Sequence, residues 1–334
     1  GKGEPVSPIG YSLFAISALR TTKGELSMRV LVVGAGAIGG YFGGRLLQAD
    51  RDVTFLVRPK RAAELARDGL VIKSPSGDAT LQNPPTVQAD RRDGKFDVVL
   101  LSCKAFDLDD AIKSFAPAVG PQTAIIPLLN GMRHIDVLES RFGKNRVLGG
   151  QCGIAVTLDE HRHVVQLAPV FQSLGFGERD GGMSDRVRAI AEYLAPGNIG
   201  SQPSENIMQE MWEKWVLLTT LASSTSLMRA AIGHILAAPG GREFILGVRD
   251  ECGAVAKAAG HAPREAFLTR ITGMLTTEGS PLTASMFRDI RAGAPVEADH
   301  IVGDMIARGD AAKVPVAKLR TAYAHLKAYE NQRV

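Results

Sequence analysis

From Met28 to about Ser204, short apolar runs alternate with polar stretches; beyond Ser204 the runs stop and apolar residues recur at helical spacing. Residues 30–33, 53–57, 96–102 and 123–128 are near-continuous apolar segments, as expected of strands buried on both faces of a parallel sheet. Helices are predicted between them at 41–48, 61–67 and 107–115, and a further one at 185–194. Residues 70–87, with Pro, Ser and Gly around short apolar pieces, suit strands and turns inserted in the parallel pattern. Residues 146–177 turn strand-like and are expected to extend the sheet, and 196–203 reads as a linker. Helices are then predicted at 207–228, 241–259, 263–275, 285–291 and 298–307, followed by a turn at Gly309-Asp310 and a last helix at 316–330. The fold class expected is α/β, with a parallel-sheet domain over 28–203 and an all-helical domain over 204–334. No internal repeat or low-complexity segment is present.

Candidate chemistry sits where the apolar runs end. The first breaks directly into Gly34, Gly36 and Gly39, spaced G-x-G-x-x-G, before a helix begins. In a dinucleotide-binding turn the first glycine permits the tight turn, the second lets backbone N–H groups approach a pyrophosphate, and the third lets the helix pack close on the sheet. Alone the pattern fits any tight strand-to-helix turn. The strand before it and the βα rhythm after it select the dinucleotide reading, with Gly34, Ala35, Gly36, Ala37, Ile38 and Gly39 facing the cofactor. The second run ends in Val57-Arg58-Pro59-Lys60-Arg61. NAD-preferring sites usually carry an acid there, about 20 residues past the first glycine, whereas an Arg accommodates a 2′-phosphate. Three cations and no carboxylate favour NADP, with Arg58 as the contact; the plainer alternative is a solvated basic loop.

The third run ends at Cys103-Lys104 and the fourth at Leu129-Asn130-Gly131-Met132, at the edge where ligands of open α/β sheets bind. Lys104 is placed to reach a cofactor, the alternative being a lysine that merely starts a loop. Asn130 can donate and accept hydrogen bonds to a nicotinamide or a substrate carbonyl, although on its own a turn role before glycine is the better reading. Far along the chain, residues 207–228 are apolar nearly all round, which marks a central, buried helix. At 3.6 residues per turn Lys214 falls on the stripe of Ile207, Met211, Leu218 and Leu221. The competing reading is an exposed Glu210–Lys214 pair at i, i+4.

Composition narrows the classes. The 334 residues are 45% hydrophobic and 22% charged, with a net charge of +4, and the basic clusters are separated. That is enough for a large core in two domains and counts against nucleic acid as a partner. Three cysteines without a C-x-x-C pair suit a reducing cytoplasm rather than a disulfide framework. His161 and His163 could share a strand face, but no third metal ligand has a recognisable spacing, and no metal is expected. Residues 1–27 precede the first strand; their apolar piece, 11–19, is too short to span a bilayer, and they are set aside as an N-terminal extension.

The ordered set of motifs resembles the ketopantoate reductases (2-dehydropantoate 2-reductases). It comprises the glycine-rich turn, Ser102-Cys103-Lys104-Ala105-Phe106, Leu129-Asn130-Gly131-Met132, Trp212-Glu213-Lys214, Ser285-Met286 through Asp289-Ile290, and Glu297. The resemblance covers nearly all of residues 28–332, and the ordered set is far more specific than any one member. It implies a Rossmann-like domain followed by an all-helical domain with the site in the cleft between them. The activity implied is NADPH-dependent reduction of a 2-keto acid in pantothenate biosynthesis. It also implies Lys214 as general acid, Asn130 touching nicotinamide and substrate, and Ser285 touching substrate. Glu297, Lys104 and Ala155 would be cofactor contacts, Ala155 through its backbone. Partners expected are a small-molecule 2-keto acid and a second copy of the chain in a homodimer, without membrane or nucleic acid.

The departures concern substrate. The family usually carries asparagines four and eight residues after its lysine, where this chain has Leu218 and Ala222. A third is replaced by Ile232, and one just before the serine by Leu282. The substrate expected is ketopantoate, reduced to pantoate, or a related one, and these losses point to a less hydroxylated 2-keto acid or related carbonyl, with Thr219, Ser223 and Ser224 as candidates for replacement hydrogen bonds. Two other readings stand beside this one: a dehydrogenase of another hydroxy or keto acid in the wider 6-phosphogluconate dehydrogenase-like superfamily, and a non-catalytic NADP-sensing protein. The Trp212-to-Lys214 signature counts against the first, and a retained proton donor counts against the second.

Overall fold

The computed structural model describes residues 20–22, 25–90, 94–167 and 172–333. The apolar piece 11–19 and the basic pair at 91–92 lie outside them. Strands β1 (Arg29–Val33), β2 (Asp52–Leu56), β3 (Phe96–Leu101) and β4 (Val119–Pro127), with the short edge strand Thr86–Val87, form one five-stranded sheet. Its order is Thr86–Val87, β2, β1, β3, β4, and every neighbouring pair is parallel. Side chains alternate across the sheet, so Val30 and Val32 enter one core while Leu31 and Val33 enter another. Both faces are covered, which is why the strands read as unbroken apolar runs.

The four long strands finish in register: Val33 pairs with Leu56 and with Leu101, and Leu101 pairs with Pro127. The segments that follow, at Gly34, Arg58, Cys103-Lys104 and Asn130, therefore line one edge. Helices α1 (Ala37–Gln48), α2 (Pro59–Asp68), α3 (Leu108–Phe115) and α4 (Arg133–Phe142) return the chain. A 3-10 turn at Ala105–Asp107 occupies the start expected for the third helix.

Two expectations fail in this half. The strand-like residues after 146 do not extend the main sheet; among the described residues a single bridge, Ile125 to Val147, joins it. Instead β5 (Gly149–Ile154) and β6 (Gln172–Gly177) pair antiparallel in a separate three-stranded sheet. Val156–Leu158 and Val164–Gln166 join Leu70–Lys73 and Ala79–Leu81 in a four-stranded one. The segment read as a linker contains a strand, Ser201–Pro203, parallel to β6. Short segments carry no period that tells which sheet they join.

Past α5 (Asp185–Leu194) and that strand, the described chain is helical. Helix α6 (Ile207–Met228) is the axis, and α7 (Gly241–Ala258), α8 (Glu265–Leu275), α9 (Ser285–Arg291), α10 (Asp304–Ala311) and α11 (Ala317–Gln332) surround it. A π-helical turn, Asp299–Gly303, leads into α10, and Gly309-Asp310 lies inside that helix rather than in the expected turn. The core on the Leu31 and Val33 face of the sheet runs without a break through Met211, Trp212, Trp215 and the helical domain. The two domains thus share one hydrophobic interior at their junction.

Candidate functional site

The glycine turn has the form the dinucleotide reading requires. Gly34 has φ +95°, and a Cβ on Gly39 would lie 2.1 Å from the Gly34 carbonyl oxygen and 2.3 Å from Ser102 Oγ. The helix can approach the sheet only because Gly39 has no side chain. A Cβ on Gly36 would meet nothing within 4 Å, so this side of the turn is open. Gly36 is also the N-cap of α1, whose first turn has no acid and no side-chain cap. Uncapped N–H groups at an open helix N-terminus form an anion site, so Gly34 to Gly39 fit a pyrophosphate.

The basic loop after β2 is less free than its sequence suggests. Arg61 donates to the Ala35 carbonyl at 3.1 Å and pairs with Glu64. Arg58 reaches into solvent, with its side chain 73% exposed, but donates to Asp107 Oδ1 at 2.6 Å. That carboxylate holds the guanidinium above its usual pKa. The loops after β2 and β3 are thereby tied across the edge of the sheet.

Lys104 spans the two domains. Its Nζ lies 3.4 Å from Asp289 Oδ2 and 3.5 Å from Glu297 Oε2, while Glu297 Oε1 accepts from the Ala105 N–H at 2.9 Å. Burial lowers the Lys104 pKa, but the two carboxylates outweigh it and hold the group above its ordinary value. Beside it, burial and then Asp107 push the Cys103 thiol to about 12, so no thiolate is available at neutral pH.

Lys214 stands in a different environment. Among the described residues its Nζ has one hydrogen-bond acceptor, the Cys152 carbonyl on β5 at 2.7 Å, and no carboxylate. The Glu210–Lys214 pair does not form, because Glu210 accepts from Ser204 Oγ at 2.7 Å and from Gln151 Nε2 at 3.2 Å. Neighbouring Glu213 faces the other way, taking Arg264 N, Nε and Nη2 at 2.9, 2.8 and 2.5 Å. Burial pushes the Lys214 pKa below its ordinary value.

The remaining sequence candidates are engaged to different degrees. Asn130 is half-buried between β4 and α4. Ala155 lies where the chain passes from one small sheet to the other, its carbonyl accepting from Leu167 N at 2.8 Å. Ser285 is exposed at the first position of α9. At the departures, Ala222 and Ile232 are buried, Leu218 and Leu282 half-buried, and the Ile232 N–H donates to the Leu282 carbonyl at 3.0 Å. Thr219 leans on the Ile301 carbonyl at 3.5 Å, and the buried Ser223 and Ser224 hydroxyls have no partner among the described residues. His163 contacts Asp159, four residues earlier in the same turn, at 3.0 Å.

Sequence reasoning missed two histidines. His134 on α4 and His300 in the π-helical turn are both buried, with Nδ1 of the first 3.2 Å from Nε2 of the second. The only available signal was their nearness to Asn130 and Glu297 in the chain, which does not reveal that they meet. Asp107, which holds Arg58, was missed for the same reason.

A parallel sheet with an open glycine-rich helix start, joined to a helical domain that carries a desolvated lysine, fits an NAD(P)H-dependent oxidoreductase. The chain belongs to the ketopantoate reductase family, whose members reduce 2-keto acids. Residues 30–181 match "Ketopantoate reductase PanE/ApbA" and residues 206–330 match "Ketopantoate reductase PanE/ApbA C terminal". Among relatives, an uncharacterised oxidoreductase of Bacillus subtilis, YkpB, is 35% identical over 306 residues, spanning 92% of this chain and all of its own. The structure of 2-dehydropantoate 2-reductase from Methylococcus capsulatus superposes with a TM-score of 0.81 at 28% identity, covering 92% of this chain and 98% of that one. D-mandelate dehydrogenase, in its ternary structure with NADH and anilino(oxo)acetate, has a TM-score of 0.80 at 18% identity over 92% of this chain and 99% of that one, and so shares the fold. No helix among the described residues is long and apolar enough to cross a membrane.

Proposed function

We propose that the protein reduces a 2-keto acid to the 2-hydroxy acid with NADPH, and that Lys214 is the general acid. The observation that carries this is Lys214 itself: a desolvated ammonium in the central helix whose one acceptor among the described residues is the Cys152 carbonyl. Reduction of a ketone leaves negative charge on its oxygen. An adjacent ammonium stabilises that charge and supplies the proton, and a lowered pKa brings the proton transfer closer to working pH.

Residues 28–203 would hold the cofactor and 204–334 would complete the substrate pocket. The Gly34 to Gly39 backbone would carry the pyrophosphate and Arg58 the 2′-phosphate, sharing its guanidinium with Asp107. Lys104, Glu297, Asn130 and the Ala155 backbone would line the nicotinamide side. A bound reduced nicotinamide supplies the hydride. Asn130 would orient the substrate carbonyl toward Lys214, with Ser285 as a further substrate contact.

Apolar Leu218, Ala222, Ile232 and Leu282 remove side-chain amides from the substrate side and favour a keto acid with an apolar tail over ketopantoate. D-mandelate, the substrate of the dehydrogenase that shares this fold, has an aromatic tail. The test is NADPH oxidation by the purified protein over a panel of 2-keto acids with hydroxylated, aliphatic and aromatic tails, repeated with Lys214→Ala. Turnover favouring apolar tails and lost in the variant is expected. Tight NADPH binding with no carbonyl reduced would sink the enzymatic reading.

A further inference from the structure

The buried contact between His134 and His300 joins the sheet domain to the helical domain. His134 lies in the first turn of α4, four residues after Asn130, and belongs to the sheet domain. His300 lies in the π-helical turn of the helical domain. The rings are 0% and 6% exposed, nearly parallel at 23°, with centroids 5.4 Å apart and Nδ1 to Nε2 at 3.2 Å. π-Helical turns are rare and frequently occur at functional sites.

From this pair a short chain of contacts runs to both candidate site residues. On one side the His300 ring and carbonyl lie against the backbone of Gly131, the residue after Asn130. Gly131, with φ +84°, packs so closely that a Cβ would lie 3.0 Å from both His300 Cδ2 and the His300 carbonyl oxygen. On the other side the carbonyl of Ile301, the next residue, accepts from Trp215 Nε1 at 3.1 Å, and Trp215 follows Lys214 on α6. The contact requires at least one uncharged ring. Burial disfavours charge on both rings, Lys214 and Arg308 disfavour it further on His134, and around His300 Arg133 opposes Glu297 and Asp304. Donation from His134 Nδ1 leaves its unpartnered Nε2 as a bare acceptor, which costs less to bury than an orphaned N–H.

Resting on the Lys214 and Asn130 assignments above, we infer that His134 and His300 are positioning residues: their hydrogen bond fixes the Asn130–Gly131 loop relative to Lys214. Neither is a catalytic residue. An error of about 1 Å between reacting groups can cost as much as 10²-fold in rate.

The experiment compares His134→Leu, His300→Leu and the amide pair His134→Asn/His300→Gln, in which the Asn amide stands near the Nδ1 position and the Gln amide near Nε2. The leucine variants are expected to lower kcat about tenfold or more with NADPH KM within about twofold. The amide pair should recover most of kcat, because it keeps a hydrogen bond but no titratable group. Hydrogen exchange of the amides of residues 129–132 should quicken in the leucine variants and return toward wild type in the amide pair. Leucine variants that keep wild-type exchange overturn the inference, as do folded ones that keep wild-type kcat. Exchange needs no substrate. A wild-type protein that reduces no keto acid, but whose loop quickens in the leucine variants, refutes the enzymatic reading and leaves the coupling of loop to helical domain standing.

Discussion

Lys104 and Lys214 sit in different surroundings, which push their pKa values in opposite directions. Lys104, half-exposed, lies against the carboxylates of Asp289 and Glu297, which hold it charged. Lys214 is desolvated and has the Cys152 carbonyl in place of a carboxylate, so its pKa falls. A lysine with two anionic neighbours is a fixed positive charge, suited to tying elements together. A lysine with a neutral acceptor can give up its proton. The difference lies wholly in what each lysine touches.

The largest effect expected from breaking this contrast is at Lys214. Lys214→Ala should lower kcat by about 10²–10⁴, the range for losing a positioned general acid, with NADPH binding retained. A variant that turns over at the wild-type rate removes Lys214 from the mechanism. The pH dependence sharpens the same point. A general acid acts when protonated, so under the proposed role kcat/KM for reduction should fall as pH rises through the lowered Lys214 pKa, with a midpoint below the ordinary lysine value of about 10.4. A midpoint at or above that value would mean Lys214 is not desolvated in the working enzyme.

Smaller effects are expected where cations are paired. Arg58→Ala should raise the KM for NADPH about tenfold, the loss of one hydrogen bond to a charged group, and change that for NADH less than twofold. Equal effects on both cofactors would assign Arg58 to the Asp107 tie alone. Lys104→Met should cost no more than about 1 kcal/mol of stability in denaturant titration, since half-exposed ion pairs are screened and contribute little. A loss of several kcal/mol would mean that the Lys104 cluster, rather than the shared core, holds the domains together.

Much of this was legible before the fold was known. Four buried strands, the glycine turn, the central helix and its out-of-place lysine all declare themselves through local pattern, because burial on two faces, a tight turn and helical periodicity each constrain neighbouring residues directly. The small sheets were misread because their strands are short and pair with partners as distant as Leu70–Lys73 and Val164–Gln166. Arg58 was recognised as a cation, but not as one already holding Asp107.

The sequence alone determined the four buried strands, the glycine turn, the central helix and the kinds of side chain at the candidate site, including apolar Leu218 and Ala222. Only the tertiary structure decided which groups meet. Lys214 faces the Cys152 carbonyl rather than Glu210, and His134 finds His300 across the domain junction. The reason is physical: a residue's type is carried by the chain, but its charge state depends on solvent exclusion and on partners brought from 62 and 166 residues away. No local spacing encodes those distances.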